Sequence, residues 1–383
     1  MKQILFVAIA CICSLSPIHG HADGTLEEAI ELVELLGSPS FSDRRKAMDR
    51  LLHLGPVAIG PLEKAALSRN RELRYRSRRL LESVRELEFE RQLQVFIQST
   101  GSEADLALPG WKAFRERYGE GGDARQLFVA MQRAEPEIMR KVDTDAESVA
   151  RLINQRVQAL QQSRRFQGGN MSVGSIVAML YCGTKSAVTL TDSSVKIIVG
   201  LCGYPAFVGE LRRPAGDNRY YINHDTRSDL LRALFSDWMN RPGAYQNYQG
   251  FLLALNYDIR GVATAAAHAI EQKDATPQVK QYAPQVLAEY GGEVHVEAVT
   301  TILADKTFCG GTQRVDGKQY RTQIRDVALV CLLAIEKLNP KEYGFPRFEI
   351  RNRIVLLSSI GFENDEEREK AHGKWRKYIE DKQ

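Results

Sequence analysis

The sequence contains none of the short motifs that mark common classes of hydrolase, nucleotide-binding protein or metalloenzyme. It has no H-E-x-x-H zinc motif, no G-x-S-x-G nucleophile motif and no glycine-rich P-loop. His295 and Glu297 have the spacing that begins a zinc-deaminase site, but the cysteine pair that such a site needs is missing. The histidines beyond residue 22 are scattered: His53, His224, His268, His295 and His372. We therefore expect no catalytic residue, no metal site and no cofactor.

An excess of charge of one sign is also missing, and so are long apolar runs beyond the N-terminus. Lysine and arginine number 52 against 48 acids, which leaves a net charge of +4. Nucleic-acid-binding domains carry a larger and more clustered basic excess, so nucleic acid is not expected as a partner. No stretch beyond residue 22 is long and apolar enough to cross a bilayer. We expect no transmembrane span after the N-terminal segment is removed.

Cysteine is sparse, and no two cysteines form a C-x-x-C motif. Four of the six cysteines lie beyond residue 22: Cys182, Cys202, Cys309 and Cys331. A chain of this length can bury a large core without disulfides, so free buried thiols are expected. Disulfides are the alternative, since export permits them. If the apolar segments before Cys182 and Cys202 are antiparallel helices, these two lie about 15 Å apart, too far for a bond.

Residues 1–22 have the pattern of a signal peptide. Lys2 supplies the positive start, Ile4–Leu15 is a short apolar run, and Gly20-His21-Ala22 is a cleavage site with small flanking residues. A lipoprotein signal ending at Cys11 is the alternative. We expect a periplasmic or secreted protein whose mature chain begins at Asp23. Mass spectrometry of exported material checks this, and a chain that keeps Met1 in the cytoplasm would contradict it.

A recurring helical spacing organises the rest of the chain. A basic residue is followed three positions later by a small one and, four positions after that, by a large apolar one. The spacing occurs in five places: Lys280-Ala283-Leu287, Arg325-Ala328-Leu332, Arg44-Ala47-Leu51, Arg74-Ser77-Leu81 and Arg368-Ala371-Trp375. The small residue lets a neighbouring helix approach, and the large one fills the space between helices. The pattern predicts stacked amphipathic helices whose basic residues pair with nearby acids.

The period of this spacing matches that of a helical-repeat array. Arg44 and Arg74 are 30 residues apart. Lys280 and Arg325 are 45 apart, but Lys306–Arg321 has the composition of a 16-residue insert, without which the spacing is 29. Two helices with two turns fit that length, and periods of about 20–50 residues indicate repeat proteins.

The chain resembles secreted bacterial HEAT-like helical-repeat proteins. The resemblance rests on the segments LGSPSFSDRRKAMDRLLHLG, AIGPLEKAALSRNRELRYRSRRLLESV, LPGWKAFRERYG with RQLFVAMQRAEP, TQIRDVALVCLLAI, KEYGF and EEREKAHGKW. It implies an all-α fold, a right-handed α-α superhelix of the HEAT/armadillo solenoid type, and usually no assigned activity. It supplies no catalytic residue.

These patterns predict five segments along the chain. They are the signal peptide 1–22, N-terminal HEAT-like repeats 23–100, a helical connector 101–168, an irregular middle helical segment 169–245, and C-terminal HEAT-like repeats with an end cap 246–383. Gly168-Gly169 marks the internal boundary. Pro136–Arg165 is expected to form one long polar helix.

Two surfaces are candidates for binding a partner. The first is an arginine face on the helix after residue 70, carrying Arg71, Arg74 and Arg78, where the alternative is a solvated surface paired with glutamates. The second is the insert near 306–321. There Asp316-Gly317 predicts a two-residue β-hairpin turn, with Gln313 opposite Tyr320 and Arg314 opposite Gln319. This candidate consists of Arg314, Asp316, Lys318 and Tyr320, and its alternative is a tolerated surface loop.

Three functional hypotheses follow from these patterns. The export signal and repeats favour a non-catalytic scaffold that binds a protein partner in the cell envelope. A polyanion-binding protein using the arginine face at residues 69–79 is the second, and its binding would fall steeply with salt. The third is an enzyme with its site in residues 168–225, which a pocket with perturbed acids or a histidine would favour.

Overall fold

The computed structural model describes residues 25–98, 108–167, 171–214, 220–222 and 224–382. These residues belong to two compact units, Met1–Leu106 and Ala107–Gln383. The signal peptide 1–22 and the internal boundary at Gly168-Gly169 lie outside the described residues. Most of the described residues are helical, so the mostly α-helical part of the predicted fold is confirmed. The superhelix stays a prediction, as do the divisions at 168 and 245.

The described part of the first unit, residues 25–98, forms two helical hairpins. Their helices are α1 (Leu26–Leu35), α2 (Phe41–Leu54), α3 (Ile59–Ala65), which a 3₁₀ turn at Gly55–Ala58 precedes, and α4 (Arg71–Gln98). The hydroxyls of Thr25 and Ser40 cap α1 and α2 by accepting the backbone N–H of the third helical residue. Apolar residues recur every three or four positions, and the buried ones from all four helices share one core.

Two arginines of this unit that are 30 residues apart make the same kind of hydrogen bond. Arg44 Nη1 donates to the carbonyl of Ser38 at 2.9 Å, and thirty residues later Arg74 Nη1 donates to the carbonyl of Ser68 at 2.7 Å. Both serines also accept, through Oγ, the N–H of the residue two positions on. The basic position of the repeat therefore stabilises the turn before its own helix. The expected pairing with nearby acids is wrong for these two arginines, because the turn carbonyls are closer.

The second unit contains the remaining helices. Their bounds are α5 Trp111–Tyr118, α6 Gly122–Ala134, α7 Pro136–Lys141, α8 Ala146–Gln167, α9 Val173–Gly183, α10 Asp192–Leu201, α11 Pro205–Val208, α12 Thr226–Met239, α13 Tyr248–Tyr257, α14 Ala263–Glu271, α15 Pro277–Val286, α16 Val296–Thr300, α17 Ile324–Ile335, α18 Leu357–Ile360 and α19 Asp365–Lys382. A π-helical turn at Leu287–Gly291 extends α15. The acid pairing predicted for the repeat occurs here, since Lys280 contacts Asp305 at 2.7 Å.

The single helix predicted over Pro136–Arg165 is wrong, because α7 ends at Lys141 and α8 begins at Ala146. The acids between them explain the break. The carboxylate of Asp145 accepts the N–H of Ser148 at 2.9 Å and so starts a new helix. Short acidic side chains that bond to nearby backbone compete with helix continuation.

The hairpin predicted in the insert has the expected register. Strands β3 (Phe308–Val315) and β4 (Lys318–Gln323) pair antiparallel, with Gln313 opposite Tyr320 and Arg314 opposite Gln319. Asp316 and Gly317 occupy the turn with φ of 52° and 79°. Positive φ at both central positions is what the Asp-Gly pair was expected to supply.

Two further hairpins complete the β structure of the described residues. The first pairs β1 (Arg212–Pro214) with β2 (Tyr220–Ile222) in the middle segment, and the second pairs β5 (Ile350–Arg351) with β6 (Ile354–Val355). The sequence did not predict the second, because each strand has only two residues and shows no periodicity. Its turn places Asn352 and Arg353 at positive φ, 50° and 64°.

The cysteines behave as predicted. All four in the described part of the chain are buried and free: Cys182, Cys202, Cys309 and Cys331. Burial raises the pKa of the Cys182 thiol to about 12, so it is protonated and unreactive at neutral pH.

Candidate functional sites

A groove lies between α2 and α4, the second helices of the two N-terminal hairpins. It has a volume of about 610 Å³, and we call it the α2–α4 groove. Its lining includes Phe41, Arg45, Met48, Leu52, Tyr75 and Arg79. On α2 they follow one another at steps of four, three and four, so they share one helical face. The groove is therefore a product of two helices packed side by side.

The apolar side chains of this groove are unusually exposed. Phe41 is 68% exposed, Tyr75 63% and Met48 40%. Leu52 and Leu80 lie beneath them and pack against the core. Contiguous apolar surface rimmed by polar groups is typical of protein-interaction sites.

The charges around the groove are mostly positive. Four arginines line it against one acid, Asp49. Arg44 is held by the Ser38 carbonyl, and Arg76 donates to the Leu36 carbonyl at 2.7 Å and pairs with a glutamate. Arg45 and Arg79 make no ion pair with any residue of the described part of the chain. These two guanidinium groups are free to receive carboxylates from outside.

Of the three arginines predicted to form a binding face, two bond to backbone carbonyls and one is exposed to solvent. Arg74 donates to the Ser68 carbonyl, and Arg78 donates through Nε to the carbonyl of Ala66 at 3.2 Å. Both therefore hold the turn between α3 and α4. Arg71 is exposed. The sequence did not predict the neighbouring groove, although the Phe41–Met48 spacing on a mostly charged helix was an available signal.

The hairpin residues proposed as a second surface also have separate roles. Arg314 and Asp316 are exposed near the tip. Lys318 pairs with Glu363 at 2.7 Å, and Tyr320 lies under the guanidinium of Arg347, 3.5 Å from the ring centroid. Two points along β4, Lys318 next to the turn and Tyr320 in mid-strand, are thereby attached to the segments between α17 and α19.

A second site surrounds a buried carboxylate in the second unit, and we call it the Asp258 cleft. A cavity of about 600 Å³ is lined by residues that include Arg117, His224, Asp237, Asp258 and Arg260. A smaller cavity of about 350 Å³ adjoins the same aspartate and is lined by Asp258, Arg260, Glu289, Tyr290 and Arg353. The cleft is assembled from segments far apart in the chain, so spacing alone did not reveal it.

Asp258 has only 4% of its side chain exposed and sits at positive φ, 55°. Its carboxylate accepts from Arg260 Nε and Nη2 at 3.3 and 3.2 Å. His224 Nε2 and Arg353 Nε are 3.8 and 3.9 Å from its oxygens. Burial opposes ionisation and raises the pKa, but the Arg260 hydrogen bond and the surrounding cations bring it below the ordinary value for aspartate. Asp258 is therefore ionised at neutral pH.

Other charges in the cleft are already paired. Arg117 holds Asp237 through two hydrogen bonds of 2.9 and 2.6 Å, and Tyr118 donates its hydroxyl to the same carboxylate at 2.7 Å. Tyr290 lies next to Asp258, and the pKa of its hydroxyl is raised mainly by burial. Of the residues in the range 168–225 that was considered for an enzyme, His224 contributes to this cleft.

Comparisons with protein-family models, curated proteins and solved structures found no match. The resemblance to HEAT-like repeat proteins therefore stays a prediction. Among the described residues, no group of three or more potential ligands has the arrangement of a metal site. No helix within the described ranges has the length and apolar character needed to cross a membrane.

Proposed function

We propose that this protein is an exported, non-catalytic helical-repeat scaffold that binds a protein partner in the cell envelope. Its binding element is the α2–α4 groove. The observation that carries the proposal is the combination of exposed Phe41, Met48 and Tyr75 with the unpaired cations of Arg45 and Arg79. An occupant that fits has an apolar stripe for the groove and carboxylates for its rim. An acidic amphipathic helix of the partner has both.

The composition of the groove supports a protein partner over a simple polyanion. Aromatic residues and arginine dominate the energetics of protein interfaces, because they bury large areas with few rotatable bonds or make bidentate bonds. A polyanion gains from the arginines but buries nothing against Phe41 or Met48. We therefore expect part of the binding free energy at the groove, the part from apolar contacts, to persist at high salt.

Binding of a labelled acidic amphipathic peptide to the full chain tests this proposal. We expect Phe41→Ala and Arg79→Glu each to weaken binding by at least about tenfold. The first removes apolar contact area, and the second removes a cation that pairs with a carboxylate of the peptide. Fluorescence anisotropy measures the change. Leu67→Ala and Arg69→Glu are the matched controls, because both residues are exposed, Leu67 at 81%, and neither lines the groove. We expect these controls to bind as the unchanged chain does.

Polyphosphate in the same assay distinguishes the polyanion alternative. That alternative expects Arg69→Glu and Arg71→Glu to weaken binding as much as Arg79→Glu, and affinity to fall steeply with salt. Such a result, with Phe41→Ala unaffected, would contradict the scaffold proposal. A preference for the peptide that depends on Phe41 would support it.

A further inference from the structure

Arg353 is an unusual arginine. Only 31% of its side chain is exposed, yet it makes no hydrogen bond with any residue that the structure describes. Its Nε is 3.4 Å from Glu289 and 3.9 Å from Asp258, longer than the 2.7–2.9 Å of a good charge-assisted bond. The side chain is partly buried, and its guanidinium N–H donors have no acceptor at full hydrogen-bond distance among the described residues.

The backbone holds Arg353 and its neighbours in place by three separate devices. Arg353 and Asp258 both adopt positive φ, a conformation that costs energy in residues other than glycine. Glu289 and Tyr290 lie in a π-helical turn, a rare feature that often occurs at functional sites. All four residues line the same small cavity. The backbone positions from which these side chains enter the cavity are therefore set by local conformation.

We propose that the Asp258 cleft binds a small molecule through an oxyanion group, a phosphate or a carboxylate, held between Arg353 and Arg260. Asp258 is the buried counter-ion that fixes Arg260 by accepting from Nε and Nη2, which leaves Nη1 for the ligand. Arg353 supplies the planar fork that matches an oxyanion with two bonds. His224 lies at the mouth of the larger cavity, which has room for the rest of the molecule.

Glu289 competes with the proposed oxyanion for Arg353. Its carboxylate is 42% exposed and is the acid nearest to Arg353, at 3.4 Å. An oxyanion that enters the cleft displaces the Glu289 carboxylate from the Arg353 guanidinium. The negative charge of Glu289 then repels it. Removing this charge should therefore strengthen binding, whereas removing a merely structural partner would not.

Isothermal titration calorimetry on the full chain, with inorganic phosphate and with succinate, tests the site. We expect Arg353→Met to weaken binding by at least about tenfold, since a charged bond partner is lost. Arg351→Met is the matched control, because Arg351 lies on the same hairpin, is 69% exposed and pairs with Glu349. It should bind as the unchanged chain does, and Glu289→Gln should bind more tightly.

The two probes separate the sources of the oxyanion. Binding of phosphate alone assigns a phosphate-bearing ligand, binding of succinate alone assigns a carboxylate-bearing one, and binding of both supports the shared chemistry. Binding of neither at millimolar concentration would overturn the proposal. So would equal losses for Arg351→Met and Arg353→Met, provided that both variants keep the circular dichroism spectrum and melting temperature of the unchanged chain. If Arg353→Met does not fold, weaker or unchanged binding by Glu289→Gln overturns it.

Discussion

Replacing Asp326 by asparagine is expected to lower the free energy of unfolding of the second unit by about 3–5 kcal/mol. Asp326 is fully buried, and its carboxylate accepts from Arg368 Nε at 3.0 and 3.1 Å. Arg368 is itself only 4% exposed in its side chain, and His372 Nε2 lies 3.6 Å from the same carboxylate. Removing the negative charge leaves Arg368 with the exposed Asp365 carboxylate and the Arg321 carbonyl, but without its buried counter-ion. Asparagine keeps the shape and one oxygen to accept the Gln323 N–H that caps α17, but its amide nitrogen replaces an oxygen that accepts from Arg368, so the measured loss reports the charge together with that acceptor.

Chemical denaturation followed by circular dichroism measures this change. Glu366→Gln on α19, the helix that carries Arg368, is the control, because its pair with Lys370 is exposed on both sides, 79% and 69%. Exposed pairs contribute little, so this variant should unfold as the unchanged chain does. Equal behaviour of the two variants would mean that the Asp326–Arg368 pair does not hold α17 and α19 together.

Leu51→Ala is expected to destabilise the first unit by about 2–5 kcal/mol, because it leaves a cavity in the shared core. Leu51 has no exposed surface, and the leucines at the corresponding position of the recurring sequence spacing, Leu81, Leu287 and Leu332, are also buried. We expect losses in the same range at all four. The agreement between spacing and burial is the strongest support for the repeat alignment.

Leu67→Ala is the control for this prediction. It removes the same atoms in the same unit, but Leu67 is 81% exposed. Its effect should stay within about 0.5 kcal/mol, the usual range for surface substitutions. Thermal unfolding of both variants measures the difference, and a similar melting temperature for the two would contradict the assignment of Leu51 to the core.

The sequence predicted the features that depend on neighbouring residues. Asp316-Gly317 determined both the turn and the register of its hairpin, because few residues tolerate positive φ. The starts of α1 and α2 depend on neighbouring residues in the same way, because the hydroxyls of Thr25 and Ser40 cap them locally.

One feature that the sequence analysis missed is local, because the carboxylate of Asp145 accepts the N–H of Ser148, three residues on, and so starts α8. The others depend on tertiary structure. The α2–α4 groove required two helices to be placed side by side. The Asp258 cleft required residues from α12, the turn after α13, the π-helical turn and the β5–β6 hairpin to converge. No local sequence pattern predicts that these distant segments come together.

Photo-crosslinking tests the proposed binding groove most directly. A benzophenone amino acid is placed at Met48, inside the α2–α4 groove, and in a second protein at Leu67, which is more exposed but outside it. Both full-length proteins are irradiated with the labelled acidic amphipathic peptide. The scaffold proposal predicts a crosslinked product from position 48 and none from position 67. Crosslinking at both positions, or at position 67 alone, would contradict it.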